Sequence, residues 1–92
     1  MKKIIQRTRR FEKSFSKLSK KIREKFVARL KIFIEDEYAV VLRTHRLEGT
    51  MKTYYAFSVT GDVRAIYRKE VLDNKTVFVF TFVDIGGHSE VY

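Results

Sequence analysis

The spacing of apolar residues changes once along this chain, near residue 40, and that change limits the folds open to it. Before it, Phe11, Phe15 and Leu18 fall at i, i+4 and i+7. Ile22, Phe26, Leu30 and Ile34 then repeat every four residues, with Val27 and Phe33 widening the stripe. This is the period of two amphipathic helices. Thr8 and Ser19 stand before the two stripes as N-caps, and the short break at Leu18-Ser19 predicts a helical hairpin. Glu35-Asp36-Glu37 closes the second helix. Acid at a helix C-terminus opposes the dipole, so these carboxylates are expected to serve the loop or to offset the basic face. Past residue 40 the pattern becomes that of strands. Residues 54–59 alternate and are rich in aromatic and β-branched types, Gly61-Asp62 marks a turn, and residues 63–68 form the next strand. Leu72-Asp73-Asn74-Lys75 reads as a hairpin connection. Residues 76–83 are apolar on both faces, as in a central strand. Residues 2–6, apolar at Ile4 and Ile5, form a short first strand. The order is one strand, two helices and three antiparallel strands. It predicts a two-layer α+β fold, an N-terminal helical hairpin packed on a small twisted antiparallel sheet. The other sheet face stays partly open, and a site is expected there.

The 92 residues suit a single domain spanning residues 1–92, with a core that is small but feasible without staples. With no Cys there is no disulfide, thiolate metal site or cysteine nucleophile. No apolar run approaches the roughly 20 residues of a membrane span, and Met1-Lys2-Lys3 precedes too few apolar residues for a signal-peptide core. A cytoplasmic protein is expected. The net charge of +9 is uneven. Residues 1–31 carry 13 Lys/Arg against Glu12 and Glu24, whereas residues 32–92 carry 7 against 9 Asp/Glu. A basic helix face can simply be solvated, but an excess this local more often meets nucleic acid or an acidic partner.

The residues able to carry chemistry are few. Asp84-Ile85-Gly86-Gly87-His88-Ser89-Glu90-Val91-Tyr92 runs an apolar strand into two glycines, which free the backbone to turn and bring an imidazole and a phenol together. An imidazole moves protons near neutral pH, and an aromatic stacks on a base. His45 lies in Arg43-Thr44-His45-Arg46; a loop His is most often only a surface residue, but this one sits among cations. Asp62 and Arg64 fall at a strand start. They are either a surface ion pair worth little or, for Arg64, a fork that grips a phosphate. Two His do not make a zinc site. No glycine-rich phosphate loop and no Gly-x-Ser-x-Gly nucleophile is present. The aromatic residues Tyr54, Tyr55, Phe57, Tyr67, Phe78, Phe80 and Phe82 are expected in the core rather than as stacking platforms.

Taken together, Phe11-Glu12-Lys13-Ser14-Phe15, Arg43-Thr44-His45-Arg46-Leu47-Glu48-Gly49, Gly61-Asp62-Val63-Arg64-Ala65-Ile66-Tyr67 and the last nine residues resemble, in order and spacing, the RelE/ParE toxin superfamily of type II toxin–antitoxin systems. The resemblance is to its RelE/YafQ-like branch of mRNA interferases and covers nearly the whole chain. It implies a RelE-like fold and endonucleolytic cutting of mRNA, commonly in the ribosomal A site, with no metal or other cofactor. His45, Asp62 and His88 match the YafQ-like pattern; Arg64 and Tyr92 match the RelE-like one. A further YafQ-like His falls on Ser58, and the RelE-like lysines are echoed only by Arg46 and Lys52. The resemblance thus implies that His88 leads proton transfer, with His45 as partner acid or base and Tyr92 as stacker or second donor. Arg64 would stabilise the phosphate and Asp62 would assist. Arg43, Arg46, Lys52, Lys20, Lys21 and Lys25 would bind RNA or the ribosome. Implied partners are a cognate antitoxin, mRNA and ribosomal RNA, and operator DNA only through the antitoxin, with no membrane. Two other readings stay open on the same fold: a ParE-like gyrase-binding inhibitor without chemistry, and a toxin relic acting through antitoxin binding and operon repression.

Overall fold

The computed structural model describes residues 1–49 and 53–87. Strand β1 (Lys2–Arg7) leads into α1 (Arg9–Ser16) and α2 (Lys20–Glu35). A 3-10 turn (Val40–Leu42) follows, then β2 (His45–Arg46), β3 (Tyr54–Ser58), β4 (Val63–Leu72) and β5 (Val77–Gly87). Both expected caps form. Thr8 Oγ1 accepts from the Phe11 N–H at 3.1 Å and Ser19 Oγ from the Ile22 N–H at 3.3 Å. Each satisfies a donor that the first turn leaves without a helical partner.

The sheet order is β1-β5-β4-β3-β2. β3, β4 and β5 pair antiparallel, as expected, but β1 runs parallel to β5, from Lys2 opposite Val77 to Arg7 opposite Phe82. The sheet is therefore mixed rather than antiparallel. Both helices lie between β1 and the rest of the sheet in sequence, so no hairpin imposes an antiparallel neighbour. The second difference is β2: the loop around His45 adds a two-residue bridge to β3. The third is Gly86-Gly87. Instead of turning, both residues are buried within β5, opposite Arg64 and Val63. Glycine takes whatever conformation its ladder imposes, and here the ladder is extended. A one-residue slip between the pairs Ile66–Asp84 and Tyr67–Phe82 leaves Val83 as a bulge.

The main core lies between helices and sheet. Phe33 is its centre, with ring centroids 4.9 Å from Phe80, 5.0 Å from Tyr67 and 5.1 Å from Phe57. The first two contacts are edge-to-face, a favoured aromatic geometry. Phe15 and Phe26 join the two helices at 5.6 Å. Ile34, expected on the buried stripe, is 40% exposed. A strict four-residue repeat drifts about 40° per step around a helix of 3.6 residues per turn, so Phe33 rather than Ile34 reaches the core. On the opposite sheet face, Leu47, Ala56 and Ile66 form a smaller cluster.

Candidate functional site

A groove of about 550 Å³ runs between α2, the 3-10 turn and the β3–β4 turn. α2 contributes Lys21, Lys25 and Arg29; the 3-10 segment contributes Val40, Val41 and Arg43; the β3–β4 turn contributes Ser58, Thr60, Gly61 and Arg64. Among the described residues five cations line it and no carboxylate does. Among the described residues the ion pairs are Arg7–Glu12, Arg10–Asp84 and Lys69–Glu37, none of which involves a groove cation. Unbalanced like charge in a concave site raises the local potential and favours an anionic ligand.

Local structure places each of these groups. Lys21, Lys25 and Arg29 follow the i, i+4 ridge of α2 next to half-buried Ile22 and buried Phe26, so the packing that seats the helix also aims the row. Arg29 Nη1 donates to the Val41 carbonyl at 2.7 Å and ties α2 to the opposite wall. Arg43 closes the 3-10 turn at φ 51°, a left-handed conformation that redirects the chain into β2. Arg64 Nη1 donates to the carbonyls of Thr60 at 3.0 Å and Gly61 at 3.2 Å. Thr60 Oγ1 in turn accepts from the N–H groups of Val63 at 3.0 Å and Asp62 at 3.3 Å. The turn is thus built around the guanidinium.

Behind the 3-10 wall, Glu37 holds the loop to the sheet. Its carboxylate accepts from the Tyr67 hydroxyl at 2.6 Å and from Lys69 Nζ at 3.1 Å, while its carbonyl accepts from Thr44 Oγ1 at 2.6 Å. Lys69 Nζ also sits 4.6 Å from the centre of the Tyr55 ring, a cation–π contact. Burial, then the hydrogen bond to Glu37, pushes the Tyr67 phenol far above its ordinary range. Burial pulls Lys69 down, but its hydrogen bond to Glu37 and that residue's charge outweigh this and leave it raised.

The expected site residues divide as follows. Lys21, Lys25, Arg43 and Arg64 share the groove. His45 is exposed on β2, its Nδ1 3.1 Å from the Arg43 carbonyl. Its register opposite Ala56 puts it on the same sheet face as Arg64, which lies opposite Ser58. Two strand spacings across and two residues along separate their backbones by about 12 Å. Asp62 is exposed in the turn that holds Arg64. Arg46 lies opposite Tyr55 and so on the other face from His45. Lys20 is exposed at the start of α2 and does not line the groove. His88, Tyr92 and Lys52 lie outside the described residues. Arg29, which joins the groove, was missed by reading charge runs alone; its signal is the four-residue spacing Lys21, Lys25, Arg29 beside the apolar stripe. Part of the basic N-terminal third, expected to meet RNA or the ribosome, forms one wall of the groove. Among the described residues no three His, Cys, Asp or Glu cluster as metal ligands, and no helix is long and apolar enough to cross a membrane.

No protein-family model and no curated protein matches the sequence. Solved structures do match. YafQ from E. coli strain BL21(DE3) superposes with a TM-score of 0.76 at 20% identity, over 99% of each chain. A chain of the E. coli DinJ–YafQ toxin–antitoxin complex gives 0.74 at 21% identity, covering 100% of this chain and 99% of that one. The YoeB/ParE toxin from Agrobacterium tumefaciens gives 0.72 at 16% identity, over 96% of this chain and 99% of that one. The fold is that of the YafQ and YoeB toxins. It is the fold implied by the sequence resemblance, and it extends over essentially the whole chain.

Proposed function

We propose that this protein is the toxin of a type II toxin–antitoxin pair and that it cuts mRNA in the ribosomal A site. The observation that carries the reading is a groove lined, among the described residues, by five cations and no carboxylate, and closed at the sheet by a guanidinium held in its turn. The proposed reaction is attack by a ribose 2′-oxygen on the adjacent phosphorus. The P–O5′ bond breaks, leaving a 2′,3′-cyclic phosphate and a 5′-hydroxyl. It needs a base for the 2′-proton, an acid for O5′ and positive charge at the pentacoordinate phosphorus. Side chains supply all three, so no metal enters the reaction. In this reading Arg64 stabilises the phosphorane oxygens and His88 and His45 exchange the protons. Tyr92 stacks on a base or donates a second proton, and Asp62 steadies the turn beneath Arg64. Arg43 and the α2 cations hold the RNA backbone. The cognate antitoxin is expected to inhibit by laying an acidic segment over the same cations.

The test is primer extension on an mRNA translated in a purified bacterial system, with wild type, His88→Ala and Arg64→Ala side by side. The expected result is ribosome-dependent cuts within codons. Each variant should lose at least about 10²-fold in cleavage while still binding antitoxin. Intact mRNA with wild-type protein would refute the nuclease reading. A gyrase supercoiling assay would then decide whether the protein acts by binding alone.

A further inference from the structure

We infer that α2 forms a track for three successive phosphates of one RNA strand on its way to Arg64. The inference rests on the nuclease reading above. Lys21, Lys25 and Arg29 line the groove from one ridge of α2. With a rise of 1.5 Å per residue, neighbouring members of the row are about 6 Å apart along the axis and the row spans about 12 Å. That interval is close to the separation of successive phosphates along an extended single strand.

The facing wall has the opposite chemistry. Val40 is 93% and Val41 47% exposed, although both are large apolar residues. A cationic wall facing an apolar one suits a strand whose phosphates and bases point to different sides. A positively charged groove that follows the backbone, combined with apolar contact to unpaired bases, is how single strands are bound. A duplex keeps its bases inside and offers nothing to the valines. The row therefore holds the substrate strand itself, not a helix of ribosomal RNA.

The probe is a six-nucleotide RNA with 2′-O-methyl groups throughout, which binds but lacks the attacking hydroxyl. Its dissociation constant is measured against salt for wild type and the single and triple variants of Lys21→Gln, Lys25→Gln and Arg29→Gln. A base-paired RNA hairpin of equal charge is the comparison ligand. Each single substitution should reduce the log–log salt slope by about 0.7, and the triple variant by about 2. Lys31→Gln, on the same helix but away from the groove, should change the slope far less than any groove substitution. Arg29→Lys should keep the slope, which separates loss of charge from loss of the Val41 bond. Val40→Ser should weaken binding of the single strand without altering the slope. An unchanged slope in the triple variant, or a hairpin bound as tightly as the single strand, would overturn the track. Because the probe is not cut and no ribosome is present, the result is independent of the primer-extension outcome.

Discussion

Arg64 shows how a single side chain serves both the fold and the proposed site. Its bonds to the Thr60 and Gly61 carbonyls all use Nη1, so among the described residues Nη2 and Nε remain free for an anion. The fold itself fixes the fork, and such preorganisation is what would make it effective at the proposed transition state. Lysine is a single charged point and cannot hold the turn and grip a phosphate together. Arg64→Lys is therefore expected to lower kcat for ribosome-bound mRNA by about 10²-fold, with KM nearly unchanged, in single-turnover cleavage. A rise in KM alone would reassign Arg64 to binding. The place of Arg64 at a strand start after Gly61-Asp62 was legible, because turn and strand signals are local; its proposed role came only with the family resemblance. The extended Gly86-Gly87 pair was not legible, because its conformation comes from pairing with β4, more than twenty residues earlier.

Among the elements, α2 joins core to groove. Phe26 and Phe33 bury one side, and the Lys21, Lys25, Arg29 ridge adjoins it. The loop beyond α2 carries the facing wall and is latched by Glu37. The Lys69 and Glu37 side chains are only 15% and 12% exposed, so removing one charge strands the other in a poorly solvated place. Glu37→Gln should lower stability by about 3 kcal/mol in denaturant unfolding at neutral pH. The same network sets a pH dependence. Tyr67 and Lys69 both have folded-state values raised above their ordinary 10.0 and 10.5. Stability from a raised group is fully present below the unfolded value and is lost as pH rises through the folded one. Unfolding measured from pH 7 to 11.5 should therefore show stability falling above about pH 10, with a shallower fall in Glu37→Gln; equal slopes would remove Glu37 as the cause. That the acidic stop after α2 serves the loop was readable from its clash with the helix dipole. Its partners were not, since Tyr67 and Lys69 lie thirty residues on and meet it only through the sheet.

For the whole molecule, the fold brings together charge that the chain keeps apart. Residues 1–31 carry most of the positive excess, while residues 32–92 are slightly acidic overall. Even so, the groove draws Lys21, Lys25 and Arg29 from the first part and Arg43 and Arg64 from the second. Helix and strand order was legible, because period and caps are local properties. The parallel β1–β5 pair was not, because it joins segments some seventy residues apart with nothing in either to name its partner. The uneven charge should act at a distance as well as by contact. Lys2, Lys31 and Lys75 are exposed and do not line the groove; neutralising all three to Gln takes the net charge from +9 to +6. If they contribute only to the field, association with single-stranded RNA should slow several-fold at about 0.01 M salt, where the screening length is about 30 Å. The difference should shrink by about 0.15 M, where that length is about 8 Å. Dissociation should not change at either salt, because no contact is lost. Stopped-flow fluorescence with a labelled 2′-O-methyl oligonucleotide separates the two rates. Faster dissociation of the triple variant would mean that the RNA touches these lysines and that its path extends past the groove.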